Sequence, residues 1–592
     1  MLETVRILDR PVSKVILKEA VAAGFSDLQS RVIAGRLTDA DSGNLRALLR
    51  PQLGELTSPY RLPDIDAAAE AVAEAIVEGR PIIPLSDYDC DGASAHAVLK
   101  IALTHYFGVP DNQIHSFIGH RVRDGYGVSD NLTDRIIEQA PRSSLIITAD
   151  QGSSDHARIE RLLDYGIQTI VTDHHTVPAG GPPPAAIACV NPVRQDSLFP
   201  DPYIAGVHVA WLLCCAVRQS LIKLNHISED TPRLGGLLDF VALGTMADCV
   251  DLGRSPNNRA VLQAGLALMN SPNPRPVWKA LYAATKCSGP ITAATIGYSF
   301  GPVINARGRL DCALGSIDLL LSTEGVEADR MAAQLVEHNT ERKKIQTDML
   351  NRSIPQAEQQ VRSGSAAITV FDPDGHSGVH GICAARLVEL FGRPVAYFSP
   401  KYGAESVTGS IRSVPGFHVQ KALEEFASNF PGEALAYGGH SGAGGIHLRY
   451  TALLRFGDTF SSIAARDLSA DSRGPHVFTD GELSMSPSLD VFRELSQLEP
   501  FGRQWEAPLF RGKARILQVR PVGDGSHLKL SVEMSTGCFE AIWFGVVKNG
   551  KSPVEEGQTV IMAYELDSNT FRNATRLQLR IRQALPMTLG GS

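Results

Sequence analysis

The 592-residue chain lacks several features that mark common classes of protein. It has no run of about 18 apolar residues, which excludes a membrane-spanning helix. Met1 to Arg10 is charged and lacks the apolar core of a signal peptide, so we expect no secretion signal. The nine cysteines are scattered, odd in number and without a CxxC pair. This pattern predicts reduced thiols and a cytoplasmic location.

The overall composition is that of an ordinary globular protein. Apolar residues make up 43% of the chain and charged residues 20%. A chain of this length is expected to form about three or four domains. The net charge of −8 neither indicates nor excludes a nucleic-acid partner, because a basic groove can exist within an acidic average.

The most informative stretch is Asp87-Tyr88-Asp89-Cys90-Asp91-Gly92, between an apolar run at 81–85 and a helix-like segment at 93–107. Three carboxylates so close together repel one another, and burying them unpaired is costly. A divalent cation would relieve the repulsion, and oxygen ligands suit Mg²⁺ or Mn²⁺. The alternatives are a solvated acidic turn and a calcium loop. An EF-hand loop is disfavoured because its twelfth position would be Val98 instead of a glutamate.

Further polar residues follow short apolar runs that are predicted to be strands. Asp150 follows 145–149, and Asp173-His174-His175 follows 167–171. With a predicted helix at 155–165 between them, these runs indicate a parallel α/β sheet, in which ligands bind at the carboxyl ends of strands. We therefore expect the strand-end residues to share one edge, although each aspartate alone could cap a helix. Asp248, at the end of the apolar run 237–247, is open to the same two interpretations.

Three later stretches carry groups suited to phosphate. Residues 301–310 are predicted to form a glycine-punctuated loop with two arginines, which can bind phosphate bidentately, or else a plain surface loop. Gly409-Ser410-Ile411-Arg412-Ser413 offers hydroxyls and a guanidinium for a terminal phosphate. The glycine-rich loop at 437–445 suits either close approach to a nucleic-acid backbone or a tight turn.

The remaining patterns describe a connector and a β-rich end. Residues 325–349 have a long, charged helical pattern that Pro355 is expected to interrupt. The segment Arg576–Arg582 alternates strictly, with apolar residues on one face and three arginines on the other. It indicates either a small barrel whose basic face follows phosphates or an edge strand protected by charge.

Taken in order, DxDxDG at 87–92, a strand-end Asp150, Asp173-His174-His175 and a later strand-end Asp248 resemble the DHH phosphoesterase superfamily. The GGHSGAGG stretch at 438–445 is similar to its accessory DHHA1 domain. With the β-rich end, the chain resembles the RecJ family of single-stranded-DNA exonucleases. Other similar stretches are 121–127, 305–310, 409–413 and 498–502. The chain departs from the family pattern at 375–378, 442–445 and 503–505. These departures are expected to affect contacts with DNA and partner proteins, whereas the metal ligands of the family pattern are intact.

The resemblance implies an α/β multidomain fold. Its expected parts are an N-terminal helical segment (1–60), a parallel-sheet DHH catalytic domain (61–322), a long connecting helix (323–362), a smaller α/β DHHA1 domain (363–470) and an OB-like β-barrel (471–592).

The resemblance also implies a function: a 5′-to-3′ exonuclease that hydrolyses single-stranded DNA to 5′-mononucleotides in recombination and repair. Two Mn²⁺ or Mg²⁺ ions would be bridged by Asp150. One ion would take Asp91, His174 and Asp248, and the other would take Asp89, with Asp87 beside it. His175 would contact the scissile phosphate and Asp173 would orient a histidine, so the implied catalytic residues are His175, Asp173 and Asp87.

The residues implied in substrate binding are Arg121, Tyr126, Asn305, Arg309, Ser410, Arg412, Gly439 and His440. The expected partners are single-stranded DNA, single-strand-binding protein and a helicase. The protein is expected to be a monomer that does not contact a membrane. One alternative is a DHH phosphoesterase of short oligonucleotides or cyclic dinucleotides, which would not need the β-rich end. The other is a non-catalytic nucleic-acid-binding scaffold, which the intact metal ligands disfavour.

Overall fold

The computed structural model describes residues 5–121, 123–310, 313–401, 405–548, 550–571 and 574–587. The chain divides into two compact units, Met1–Leu49 with Gly474–Ser592, and Arg50–Arg473. The first residues, expected to form a helical segment of their own, therefore share a unit with the C-terminal region. Across the described ranges, no helix combines the length and apolar character needed to cross a membrane.

The N-terminal part of the first unit is a short strand followed by helices. Its elements are β1 (Arg6–Asp9), α1 (Lys14–Ala22), α2 (Asp27–Ala34) and α3 (Leu45–Leu49). Ser13 and Ser26 precede α1 and α2, and their hydroxyls accept N–H groups of the first helical turn, which fixes where each helix begins.

The second unit starts with a sheet covered by helices. Its elements up to residue 322 are α4 (Ile65–Val77), β2 (Ile82–Ser86), α5 (Cys90–Ile101), β3 (Phe117–Ile118), α6 (Asp130–Gln139), β4 (Leu145–Ala149), α7 (His156–Asp164), β5 (Gln168–Thr172), β6 (Ala188–Val190), α8 (Gly206–Lys223), α9 (Leu238–Ala247), α10 (Pro256–Met269), α11 (Pro276–Ala284), α12 (Ala293–Thr295), α13 (Gly301–Leu310) and α14 (Leu314–Leu321). The strand order is β3-β2-β4-β5-β6, and all neighbours are parallel. This confirms the predicted parallel sheet. Every residue of β2 and β4 is buried, as expected for strands covered on both faces.

Two predictions in this region were wrong. Residues 301–310 form helix α13 instead of a loop. Gly308 permits close helix packing, since a Cβ there would lie 2.6 Å from the Tyr88 carbonyl oxygen. Asp248 follows helix α9 and not a strand. The run before it is buried on all sides, and such a run has the same apolar pattern in a helix as in a strand.

A long helix leads to the second lobe of this unit. Its elements are α15 (Gly325–Arg362), β7 (Ile368–Phe371), α16 (His380–Phe391), β8 (Val395–Pro400), β9 (Ser406–Arg412), α17 (Val419–Asn429), β10 (Ala434–Gly439), β11 (Ala443–Arg449) and α18 (Leu453–Asp467). Pro355 does not interrupt α15, contrary to expectation. Met349, Ala357 and Val361, on both sides of the proline, are packed in the core against β7 and β8, and this packing compensates for one lost backbone bond.

The sheet of this lobe has the order β10-β11-β9-β8-β7. The glycine-rich stretch at 437–445 belongs to the β10–β11 hairpin, which is the tight-turn alternative. Gly439 has φ +148°, and a Cβ there would lie 2.4 Å from the Ala443 carbonyl oxygen, so glycine is needed at this position.

The C-terminal part of the first unit contains a short strand, a helix and a closed barrel. Its elements are β12 (His476–Thr479), α19 (Leu489–Ser496), β13 (Phe510–Val522), β14 (His527–Met534), β15 (Gly537–Trp543), β16 (Thr559–Phe571) and β17 (Ala574–Pro586). The barrel order is β13-β14-β15-β17-β16, and β1 pairs with β12. On β17, Arg580 and Arg582 donate to Glu565 (2.9 and 2.6 Å). The basic face predicted from the alternation is therefore partly neutralised within the barrel.

Candidate metal centre and phosphate-binding groups

The sheet register brings the strand-end residues to one edge. Backbone bonds continue one residue beyond the strands: Asp87 N donates to Ala149 O, and Asp150 N to Thr172 O (both 3.1 Å). Asp173 N donates to Val190 O in the same way (3.2 Å). These three carboxylates therefore leave neighbouring strands side by side, which is the arrangement expected at a ligand-binding edge.

Carboxylates and imidazoles from separate elements converge at this edge. Three groups have potential ligand atoms within 4.8 Å of one another: Asp87, Asp89 and Asp150; Asp91, His174 and Asp248; and Asp150, His174 and His175. His174 Nε2 lies 3.1 Å from Asp150 Oδ1 and 3.6 Å from Asp248 Oδ2. The structure thus brings together all six residues that the sequence suggested as metal ligands, with Asp150 and His174 each in two groups.

Helix N-termini hold two of the carboxylates. Asp89 Oδ1 accepts the Asp91 and Gly92 N–H groups and caps α5. Asp91 accepts the Gly206 and Val207 N–H groups at the start of α8 (2.7 and 3.0 Å). The positive end of the α8 dipole therefore faces a carboxylate.

Two glycines make room for the acidic cluster. A Cβ at Gly206 would lie 2.6 Å from Asp150 Oδ1, and one at Gly244 would lie 2.5 Å from Asp91 Oδ1. Neither glycine was predicted to be functional, because a single glycine at the start of an apolar helix or inside one has no pattern that reveals its neighbours.

Burial and like charge raise the pKa of several carboxyl groups. Burial, followed by repulsion from Asp89, raises the pKa of Asp87 to about 8. Burial also raises the pKa values of Asp91 and Asp150 well above the ordinary range, with neighbouring carboxylates adding to the effect. Without compensating positive charge, this edge of the sheet therefore retains protons near neutral pH.

The two histidines differ in charge. Burial, with the nearby charge of His175, lowers the pKa of His174 to about 4, so His174 is neutral and its lone pair is available to a metal. Burial alone would lower the pKa of His175, but Asp173 raises it to about 9. His175 Nδ1 donates to Asp173 Oδ1 (2.8 Å), and this bond, the charge of Asp173 and the charges of Asp248 and Asp87 together outweigh burial. The same contact lowers the pKa of Asp173. His175 is therefore a cation at neutral pH.

The donor set fits a hard divalent cation. Within the part of the chain that the structure describes, Asp87 Oδ1, Asp150 Oδ1 and His174 Nε2 are buried without a hydrogen-bond partner. Buried polar atoms are normally paired, and oxygen and imidazole ligands suit Mn²⁺ and Mg²⁺. Cation binding would give these atoms partners and relieve the repulsion among the carboxylates.

The predicted phosphate-binding arginines come from both lobes of the second unit. Arg121 lies over the Tyr88 ring, 4.3 Å from its centroid. Arg309 donates to Gly378 O (3.3 Å), and burial followed by the charge of Arg121 lowers its pKa to about 9. Burial and Arg121 also lower the pKa of Arg412. The charge of Arg121 thus acts on both Arg309 and Arg412. A further arginine on α15, Arg342, also acts on Arg309 and was not predicted from the sequence.

The other predicted substrate-binding residues have varied surroundings. The Tyr126 ring lies 5.3 Å from the His175 ring, edge to face. Asn305 Oδ1 accepts the Cys90 N–H (2.8 Å), so it also supports the acidic turn. Ser410 and Arg412 lie on β9, beside β11. Gly439 ends β10, and His440 Nδ1 accepts the Gly442 N–H (3.2 Å) within the hairpin turn.

The parallel sheet with aspartates and a histidine at its carboxyl edge, followed by a second α/β lobe, defines a DHH-type phosphoesterase. Family models agree: the DHH family N-terminal domain matches residues 81–245, the DHHA1 domain 363–465 and the RecJ OB domain 479–583.

Proteins that match most of this chain identify the family within the DHH phosphoesterases. The single-stranded-DNA-specific exonuclease RecJ of Dickeya dadantii is 33% identical, with 98% of each chain covered. The Escherichia coli protein of the same name is 35% identical over 89% of this chain and 91% of its own. The crystal structure of Thermus thermophilus RecJ in complex with Mn²⁺ has a TM-score of 0.77 and 27% identity, covering 99% of this chain and 80% of that one. The chain belongs to the RecJ family.

Proposed function

We propose that this chain is a metal-dependent 5′-to-3′ exonuclease that hydrolyses single-stranded DNA to 5′-mononucleotides in recombination and repair. The observation that carries the proposal is the convergence of six acidic and imidazole ligands at one sheet edge. Relatives that match most of the chain are named single-stranded-DNA-specific exonucleases, which supports single-stranded DNA as the substrate. The closed C-terminal barrel also supports a long, flexible substrate.

The ligand groups suggest how two ions would be held. Asp91, His174 and Asp248 would hold one Mn²⁺ or Mg²⁺ ion, and Asp87 and Asp89 the other, with Asp150 shared. Such a pair stabilises the attacking and leaving oxygens and lowers the pKa of a bound water. RecJ structures from Thermus thermophilus are described with each of these metals.

The protonated His175 would donate to an oxygen of the scissile phosphate. Asp173 holds the imidazole through Nδ1, which leaves Nε2 for the substrate. The contact with Asp173 raises the pKa of His175, which favours a charged imidazole as negative charge develops on the phosphate.

The arginines would set the 5′-to-3′ direction of digestion. Arg121, Arg309 and Arg412, with Ser410, would hold the terminal 5′ phosphate through charge-assisted bonds. A buried guanidinium gains most from an anionic partner, which favours a doubly charged terminal phosphate over an internal diester. A strand would thus be cut only from an end that fills this pocket.

The cellular setting is also proposed. A monomer in the cytoplasm, working with single-strand-binding protein and a helicase, fits the RecJ resemblance and the scattered cysteines. Light scattering during gel filtration tests the monomer, and pull-down with purified partners tests the contacts.

Digestion of end-labelled DNA tests the function. With Mn²⁺, we expect a 5′ label to be released as a mononucleotide from a strand of about fifty nucleotides, while blunt duplex resists. Release from the 3′ end would contradict the polarity. Faster cleavage of a dinucleotide than of the long strand would favour the short-oligonucleotide phosphoesterase instead.

A further inference from the structure

A fourth strand end contributes a polar residue to the same edge. Strand β6 pairs with β5, with Thr172 opposite Val190, and Asn191 is the next residue. Because Asp173 N donates to Val190 O, Asn191 emerges beside Asp173. Its side chain is fully buried.

The Asn191 side chain uses both of its N–H donors. Nδ2 donates to the His175 carbonyl and to Ser153 Oγ, each at 2.9 Å, and Oδ1 accepts the Val193 N–H at the same distance. Ser153 N in turn donates to Asp173 Oδ2 (3.0 Å). Asn191, Ser153, Asp173 and His175 therefore form a closed ring of hydrogen bonds.

This ring holds His175 from two directions. Asp173 holds the imidazole through Nδ1, and Asn191 holds the main chain through the carbonyl. The His175 side chain is 41% exposed, and its ring meets the Tyr126 and His174 rings edge to face. Loss of the Asn191 donors would leave a carbonyl unpaired and allow the His175 peptide to rotate.

We propose that Asn191 is a positioning residue that sets the place of the His175 imidazole through the His175 carbonyl. The inference rests on the proposed function, because the role of His175 in hydrolysis belongs to that proposal. A merely structural asparagine would act on stability; a positioning residue acts on turnover, as groups behind catalytic side chains do.

The sharpest variant is Asn191→Asp. It keeps the side-chain volume and the oxygen that accepts the Val193 N–H, but it removes both N–H donors. Asn270→Asp is the control for the same substitution at an exposed asparagine. Asn270 Nδ2 donates to the Leu266 and Ile291 carbonyls and Oδ1 accepts the Ile291 N–H, all at 2.8 Å, which repeats the three-bond pattern at the end of α10. Asn191→Ala provides a second donor deletion without a new carboxylate.

The assay measures kcat and KM on 5′-phosphorylated single strands, manganese stoichiometry by EPR, and Tm. For both Asn191 variants we expect kcat to fall at least about tenfold with KM within about twofold, while manganese stoichiometry is retained. We expect both variants to remain folded, with a larger fall in Tm than in Asn270→Asp because Asn191 is buried and Asn270 is exposed. A kcat equal to that of the control would overturn the inference. A loss that follows lost manganese or collapsed Tm would also overturn it.

Crystal structures of Asn191→Asp and the unaltered protein give a readout that does not depend on activity. We expect the His175 Nδ1–Asp173 Oδ1 contact, 2.8 Å in the unaltered protein, to be lost or lengthened. An unmoved imidazole refutes the positioning role. If the unaltered protein cuts no DNA, the proposed function fails, and this structural comparison still decides whether Asn191 places His175.

Discussion

Replacement of Asp150 by asparagine should abolish hydrolysis while the fold survives. Asp150 has φ +66°, a left-handed conformation that asparagine tolerates better than other residues with side chains. Alanine there would add about 1–2 kcal/mol of backbone strain, so Asp150→Asn separates chemistry from folding more cleanly.

The expected loss follows from the place of Asp150 in the cluster. It belongs to two of the three ligand groups, and its Oδ1 lies 3.1 Å from His174 Nε2. Loss of one well-placed electrostatic group costs about 10²–10³ in kcat. A change that weakens both ion sites should therefore cost about 10⁴ or more, or about 5 kcal/mol of transition-state stabilisation.

The same change should not destabilise the metal-free protein. Burial and the neighbouring carboxylates raise the pKa of Asp150, which means that its ionised form is unfavourable in the fold. With EDTA at pH 8, we expect the Tm of Asp150→Asn to equal or exceed that of the unaltered protein.

Single-turnover digestion with Mn²⁺ and thermal unfolding with EDTA measure the two effects. Asp164→Asn, at the exposed C-terminal end of α7, is the control for a lost surface carboxylate and should change neither. Activity of Asp150→Asn within tenfold of the unaltered protein, with contaminating nuclease removed, would refute the reasoning.

Three other outcomes are expected. In EDTA, the stability of the fold should decrease as pH rises from about 6.5 to 9. Asp87 and His175 have pKa values of about 8 and 9 in the fold, so they hold protons there that the unfolded chain releases. A Tm that stays flat or rises over this pH range would contradict this expectation. Arg412→Ala should raise KM for 5′-phosphorylated strands more than for 5′-hydroxyl strands, and equal effects would remove Arg412 from the end-binding pocket. Glu565→Gln should tighten the binding of single-stranded DNA and steepen its salt dependence, because the two arginines that now pair with Glu565 become free to bind phosphates. Unchanged filter-binding curves would show that this face of the barrel does not bind DNA.

The sheet and the clustering of carboxylates and histidines at its edge were predictable from the sequence. Runs such as 145–149 are short, rich in β-branched residues and followed by a charged residue, and parallel strands place such ends together. The acidic turn at 87–92 was also readable, because three close carboxylates demand compensation.

Tertiary neighbours explain what the sequence did not reveal. The helix at 301–310 contains Gly308, which is required by packing on Tyr88, and glycine in a linear pattern suggests a loop. Asn191 follows a strand of only three residues, too short for a periodic signal. Arg342 lies in a helix of many charged residues, where nothing along the chain distinguishes a buried arginine from an exposed one.

Anomalous diffraction from crystals soaked in Mn²⁺ would locate the ions at the sheet edge. We expect two peaks about 3.5–4 Å apart, with Asp150 between them and His174 on one side. No peak near Asp89, Asp91 and Asp248, or peaks only elsewhere on the protein, would contradict this expectation.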